Sequence, residues 1–229
     1  MGEQEAASTL IYLHIPKCAG TSIMDMLKSN YGDGFYRTPN GGGWRKFGKL
    51  PQAKRASITC LTGHIPWGLH EHLEQPYRYA VMLRNPVDRI TSLYWFCRRF
   101  AKHRRHAEAR RFSLAHFAAS GAMSDLDNGM TRWLAGRTDV GSLPIEKPVT
   151  EFDLNLAKSH LRTMVVGFVE TYAQDVCNWA LEFGWAHVDT KRRKMAGNYP
   201  SPYRRIRQAV ADANRYDVGL YEWAREQCT

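Results

Sequence analysis

The stretch "LIYLHIPKCAGTSIMDML", residues 10–27, constrains the chain more than any other. An apolar run breaks at Pro16, and Lys17, Gly20, Thr21 and Ser22 follow before a second apolar run begins. That order predicts a strand, a tight loop and a helix. A helix N-terminus exposes unpaired N–H groups and carries positive partial charge, so it attracts anions. Gly20 lets the backbone come close to a ligand, Thr21 and Ser22 add hydroxyl donors, and Lys17 adds a movable cation. The pattern is not GxxxxGK[ST], because Lys17 lies four residues before Thr21 rather than beside it. The plainer alternative is an ordinary strand–turn–helix with a solvated lysine.

Further short apolar runs at 56–63 ("ASITCLTG"), 77–83 ("YRYAVML") and 163–169 ("TMVVGFV") join 9–15 as predicted strands. Near-continuous hydrophobicity is what parallel strands buried on both faces require. Asn85 followed by Pro86 and Asp88 predicts a helix start. Thr171 with Gln174 reads as a capping box for a helix that Gly184 ends, and Ser201–Pro202 opens the last long helix. The Gly- and Pro-rich segment 31–52 reads as a surface loop. The expected fold is therefore α/β: a single three-layer, P-loop-like domain over 1–229, with a central, mostly parallel sheet flanked by helices.

With 44 % hydrophobic residues and seven Trp, the 229-residue chain can bury an ample core, which argues against disorder. No run of 18 apolar residues suggests a membrane span. The five cysteines are odd in number, widely spaced and without a CxxC pair, which speaks for reduced thiols and against a zinc site. The short acidic N-terminus has no apolar secretory core, so a cytoplasmic location is expected. A formal charge of +10 implies acidic partners without naming them.

The strand "YAVML" runs into Arg84, where a Mg²⁺-dependent nucleotide hydrolase often places an aspartate. A guanidinium there suits a phosphate, and Ser92, two turns into the next helix, can donate to the same group. Glu170 after "MVVGFV" weakly imitates a metal-binding strand end.

Together "HIPKCAGTS" and "LRNPVDRITSLY" resemble the sulfotransferases, closest to the group of heparan sulfate 2-O- and 6-O-sulfotransferases and their bacterial relatives. The likeness continues through "TGHIPWGLHEHL", "DNGMTRWLAG", "VVGFVETYAQDVCNWALEFGW" and "NRYDVGLYEWA". It implies that 3′-phosphoadenosine 5′-phosphosulfate (PAPS) is the donor, PAP the product, and that no metal is needed. It further implies that the segment 9–31 grips the 5′-phosphosulfate, with Lys17 on the bridging oxygen and Cys18, Ala19, Gly20, Thr21 and Ser22 forming the loop. Cys18, where relatives often carry Thr, is given no role of its own. The segment 77–100 would hold the 3′-phosphate through Arg84 and Ser92. The basic stretch "KRRKMAGNY" (191–199) corresponds to a later nucleotide contact, assigned to Arg193 and Lys194 although Lys191 and Arg192 stay open.

Sulfuryl transfer needs in-line positioning and a base for the acceptor hydroxyl. His64 in "TGHIPW" follows the second predicted strand, at the end where ligands bind open α/β sheets, and titrates near neutrality. A histidine bonded to a backbone carbonyl for structure alone is the alternative. His14 is expected to pack beneath the loop, and His70 and His72 to sit on a solvated face. Asn128 and Arg132 share a helix face and are candidates either for the acceptor side of the cleft or for structural hydrogen bonds. The basic run 98–111 reads as a solvated helix face or a guide for an anionic acceptor.

The leading expectation is sulfation of a hydroxyl on an oligosaccharide, glycolipid or small alcohol, in a bacterial setting. A P-loop-type kinase or hydrolase is the alternative. A nucleic-acid-binding module is not expected, because only charge would support it.

Overall fold

The computed structural model describes residues 8–121, 123–140, 147–193 and 198–228. Five strands form one sheet: β1 (Thr9–Leu13), β2 (Phe35–Arg37), β3 (Cys60–Gly63), β4 (Tyr77–Leu83) and β5 (Met164–Phe168). Their spatial order is β2-β3-β1-β4-β5, and every pairing is parallel. β1 lies in the middle, paired as Ile11 with Leu61 on one side and with Tyr79 on the other. All five of its residues are buried, which accounts for its unbroken apolar sequence.

Around the sheet lie helices α1 (Gly20–Tyr31), α2 (Gln52–Ala56), α3 (Pro86–Arg99), α4 (His106–Arg111) and α5 (Leu114–Ala119). They continue as α6 (Gly129–Leu134), α7 (Glu151–Leu161), α8 (Tyr172–Phe183), α9 (Arg204–Ala213) and α10 (Arg215–Gln227). One hydrophobic cluster joins the strands to α1, α6, α7, α8 and α10. A second packs Ile90 and Leu93 of α3 against Phe117 of α5 and Val210 of α9. The fold is α/β, a parallel sheet flanked by helices. From β1 the chain fills the β3 side before crossing to β4, so the strand order reverses beside β1. In such sheets the crevice at the strands' carboxyl ends, at that point, takes ligands.

Several local expectations change. The fifth strand, β2, lies inside 31–52, where a surface loop was expected; three residues suffice because Phe35 and Tyr36 pair with Cys60 and Leu61 at the sheet edge. The strand expected from residue 56 starts at Cys60, since Gln52–Ala56 is helical. Asn85 caps α3 as its sequence predicts, accepting from the N–H groups of Val87 and Asp88. Thr171 forms no capping box. Its hydroxyl donates to Asp175 at 2.7 Å, while Gln174 bonds Asn178. The carboxylate of Asp175 wins because it also accepts the Phe168 N–H at 2.6 Å. A capping box does form between Thr150 and Asp153, at the start of α7. Gly184 ends α8 at φ 65°. The last helix begins at Arg204, after Ser201–Pro202, and breaks at Asn214 into α9 and α10. The run 98–111 is not one helix face: the chain leaves α3 at Arg99, and Arg98 turns back to the carbonyls of Ala109 and Arg110.

Candidate active site

At the carboxyl ends of β1, β3 and β4 lies a cavity of about 1170 Å³. The loop after β1 forms its floor. Lys17 and Ala19 there have φ of 70° and 58°, a left-handed conformation uncommon for residues with a Cβ. Left-handed residues in a loop entering a helix turn backbone N–H groups toward one point, the geometry of an anion cradle. Ala19 is the N-cap of α1 but supplies no side-chain cap, and the first turn of α1 carries no acidic residue. Gly20 and Thr21 line the cavity. Gly20 is also sterically required, because a Cβ there would lie 1.8 Å from Nε2 of His14.

Lys17 lies over the Phe96 ring, its Nζ 3.9 Å from the centroid. Burial and the neighbouring Arg84 guanidinium lower its pKa from 10.5 to about 8. Arg84 donates to the Lys17 carbonyl at 3.1 Å and to the Tyr199 hydroxyl at 3.2 Å. Ser92, on α3, lines the same wall. Arg192 also enters the cavity; burial, then Arg84, lowers its pKa. A cavity that crowds these cations together is suited to a polyanion.

The loop residues divide. Lys17, Ala19, Gly20 and Thr21 line the cavity, whereas Cys18 and Ser22 are buried and do not. Burial pushes the Cys18 thiol up to about 12, which leaves it an inert packing group. The Ser22 hydroxyl accepts the Arg193 N–H at 2.9 Å and so ties segment 191–193 to α1. Arg193 lines the rim, but its guanidinium pairs with Asp25 at 2.8 Å on the surface. Lys194 lies outside the described residues. Of the stretch 191–193, Arg192 is thus the residue set beside Arg84, a choice that four consecutive basic residues could not reveal. Glu170 is occupied by the Asn85 N–H and the Tyr221 hydroxyl, not poised at a strand end for a metal.

His64 lines the same cavity. Its Nδ1 is 2.8 Å from the carbonyl oxygen of His14. A carbonyl only accepts, so Nδ1 carries the hydrogen and Nε2 keeps a lone pair. The ring lies 4.4 Å from that of His14 and 6.2 Å from that of Trp133. Burial lowers the His64 pKa, which keeps the imidazole neutral near pH 7. His14 is itself buried, lines the cavity and has Nδ1 without a hydrogen-bond partner among the described residues.

Asn128 and Arg132 do not line the cavity. Both are buried. Asn128 Oδ1 accepts from the N–H groups of Tyr216 and Asp217, at 2.9 and 3.1 Å. Arg132 is bound to the Asp127 carboxylate, to Asp139 at 2.8 Å and to the Lys147 carbonyl at 2.8 Å. They take the structural of the two roles open to them. The cavity is instead lined by Trp44 and Arg45 from the glycine-rich segment, together with His103, Asp125 and Trp133. The glycines at 41–43 were the signal for the first two; His103 lay in the basic run 98–111 and Trp133 in "DNGMTRWLAG", while nothing local marked Asp125. His70 is not simply solvated: its ring meets the Tyr79 hydroxyl at 3.0 Å. Among the described residues no cluster of three His, Cys, Asp or Glu side chains could hold a metal ion, and no helix is long and apolar enough to cross a membrane.

Residues 5–131, more than half of the chain, match the model of the sulfotransferase family. No curated protein matches the chain.

Proposed function

The chain belongs to the sulfotransferase family, and on that premise we propose that it moves a sulfuryl group from PAPS to a hydroxyl of an oligosaccharide, glycolipid or small alcohol. The observation that carries the donor assignment is the crowding of Lys17, Arg84 and Arg192 around the uncapped start of α1. Lys17 is held to a pKa of about 8 by burial and Arg84, a penalty that a bound polyanion would relieve. The residues present therefore fit the nucleotide. PAPS would supply the activated sulfuryl group.

The chain's own residues would do the rest. Lys17, with the N–H groups of Gly20 and Thr21, would neutralise charge on the 5′ side, while Arg84, Ser92 and Arg192 would hold the 3′-phosphate. His64 Nε2 would take the proton from the acceptor hydroxyl, a contribution of roughly 10²- to 10⁴-fold for a well-placed base. The fixed Nδ1–H bond to the His14 carbonyl supports that role by selecting the tautomer. The sequence motifs favour the heparan sulfate 2-O-/6-O-type branch and a single catalytic domain over 1–229. Five unpaired cysteines suit a reducing cytoplasm.

The test is thermal denaturation with PAP, ADP and Mg²⁺-ATP in parallel. At about 100 times its dissociation constant PAP should add about 2.7 kcal/mol, a rise of several degrees. ADP, which lacks the 3′-phosphate, should add much less. Preference for Mg²⁺-ATP would replace this reading with a kinase or hydrolase.

A further inference from the structure

The cavity carries one carboxylate among its described lining residues. Lys17, Arg45, Arg84, Arg104, Arg192 and Arg193 contribute cations, and Asp125 alone is acidic. Asp125 lies in the turn Ser124–Leu126 and is only 7 % exposed. Its backbone carbonyl accepts from Arg89 at 2.7 Å, and its Oδ1 accepts from the indole N–H of Trp133 at 3.3 Å. Its Oδ2 makes no hydrogen bond among the described residues. A largely buried carboxylate with one side-chain bond, its other oxygen open to the cavity, can act electrostatically on a partner that shares the lining.

That partner is at hand. The Trp133 ring that holds Asp125 also stands 6.2 Å from the ring of His64. We propose that Asp125 is a positioning residue for His64, a fixed negative charge that stabilises the imidazolium formed when the base takes the acceptor's proton. The inference rests on the reading of His64 as the base. In that step the acceptor O–H bond breaks, its proton goes to Nε2 and its electron pair stays on oxygen. Asp125 takes no part in the transfer itself and touches no reacting atom.

The groups around His64 fit the assignment. The His14 carbonyl and ring face it from the end of β1, Lys17 from the following loop and Arg37 from β2. Burial, Arg37 and Lys17 all oppose protonation, while the His14 carbonyl and Asp125 favour it. Among the described residues Asp125 is thus the side chain that offsets a cationic surrounding, and without it the base would be neutral but feeble. The same carboxylate acts on His103 across the cavity, also toward protonation.

The experiment follows the imidazole signals of His64 by NMR against pH in the free protein, assigned with His64→Gln. Asp125→Asn keeps the shape and the acceptor for Trp133 but removes the charge. The His64 midpoint should move to lower pH. The acid limb of the pH–rate profile should move the same way and the plateau fall, while PAP affinity stays within about twofold. Asp125→Ser gives a second uncharged variant should the amide fail to fold. An unmoved midpoint overturns the proposal. So does a change confined to the acceptor KM, which would make Asp125 a direct contact for the acceptor. The titration needs no ligand, so loss of PAP binding by the parent protein would sink the donor reading and leave this result standing.

Discussion

Helix α1 starts after Ala19 at φ 58° and helix α6 starts after Asn128 at φ 51°, and in neither does that residue's own side chain cap the helix. At α6 the chain fills the opening itself. Asp217 of α10 accepts from Met130 N at 3.1 Å, Thr131 N at 2.8 Å and the Thr131 hydroxyl at 2.9 Å. Asn128 returns the favour by accepting from the first N–H groups of α10. At α1 no side-chain carboxylate accepts from the first-turn N–H groups among the described residues, the opening faces the cavity, and cations gather round it. A left-handed entry to a helix is therefore not a ligand site in itself. What separates the two is whether the chain supplies its own anion.

The largest expected effect tests the filled end. Asp217 also pairs with Arg89 at 3.3 Å, and both side chains are fully buried. Asp217→Ala would leave Arg89 charged without its carboxylate partner and reopen α6. A loss of about 3–5 kcal/mol in urea denaturation is expected. Lys17→Ala at the open end should stay within about 1 kcal/mol of the parent. Equal losses at the two ends would break the contrast, because α1 would then be as structural as α6.

That contrast also explains what could be read from the sequence. The open end is contiguous: strand, Pro16, Lys17, Gly20 and Thr21 fall within a dozen residues, so local rules sufficed. The filled end joins residues 128 and 217, and no short-range pattern reports such a pairing. Asn128 and Arg132 therefore offered two roles on equal terms, and tertiary contacts chose between them. The tie of Asp125 and Trp133 to His64 was invisible for a related reason, since that histidine lies some sixty residues earlier in the chain. β2 was hidden differently. Its three residues are too few for a periodicity, and glycines on both sides read as loop. At α8 the spacing of Thr171 and Gln174 was right, yet Asp175 took the hydroxyl. The matching pattern at Thr150 and Asp153 was equally legible in "TEFD".

The open end has its own test, of intermediate size. Lys17→Ala and Arg84→Ala should each weaken PAP binding by about 1.5–3 kcal/mol, roughly 10- to 150-fold. Protonation sharpens the assignment. The folded-state pKa of Lys17, about 8, lies below its ordinary 10.5, so between those values the unfolded chain holds a proton that the folded one has released. This group's penalty is therefore full below pH 8 and is relieved as pH rises toward 10.5, adding stability across that window. An anion bound beside Lys17 would reverse the shift and draw a proton in. At pH 9 the calorimetric heat of PAP binding should depend on the buffer's ionisation enthalpy. In Lys17→Met that dependence should vanish. A parent protein that takes up no proton would place the anion away from Lys17.

The smallest effect concerns a third helix start, at α3. There the closure is local: Asn85 Oδ1 accepts from Val87 N at 3.1 Å and from Asp88 N at 3.3 Å. This end borders the cavity through Arg84 just before it, but its own N–H groups are already engaged. Asn85→Ala removes the cap and keeps the backbone N–H that donates to Glu170 at 2.9 Å. The expected cost is about 1 kcal/mol of stability. PAP affinity should change by no more than about twofold, under about 0.5 kcal/mol, because the anion would be held by Arg84 and Ser92 rather than by the start of α3. A tenfold loss of affinity with unchanged stability would mean that the side chain of Asn85 itself meets the nucleotide. The start of α3 would then belong with the open end of α1, and a closed cap would no longer distinguish a structural helix start from a ligand site.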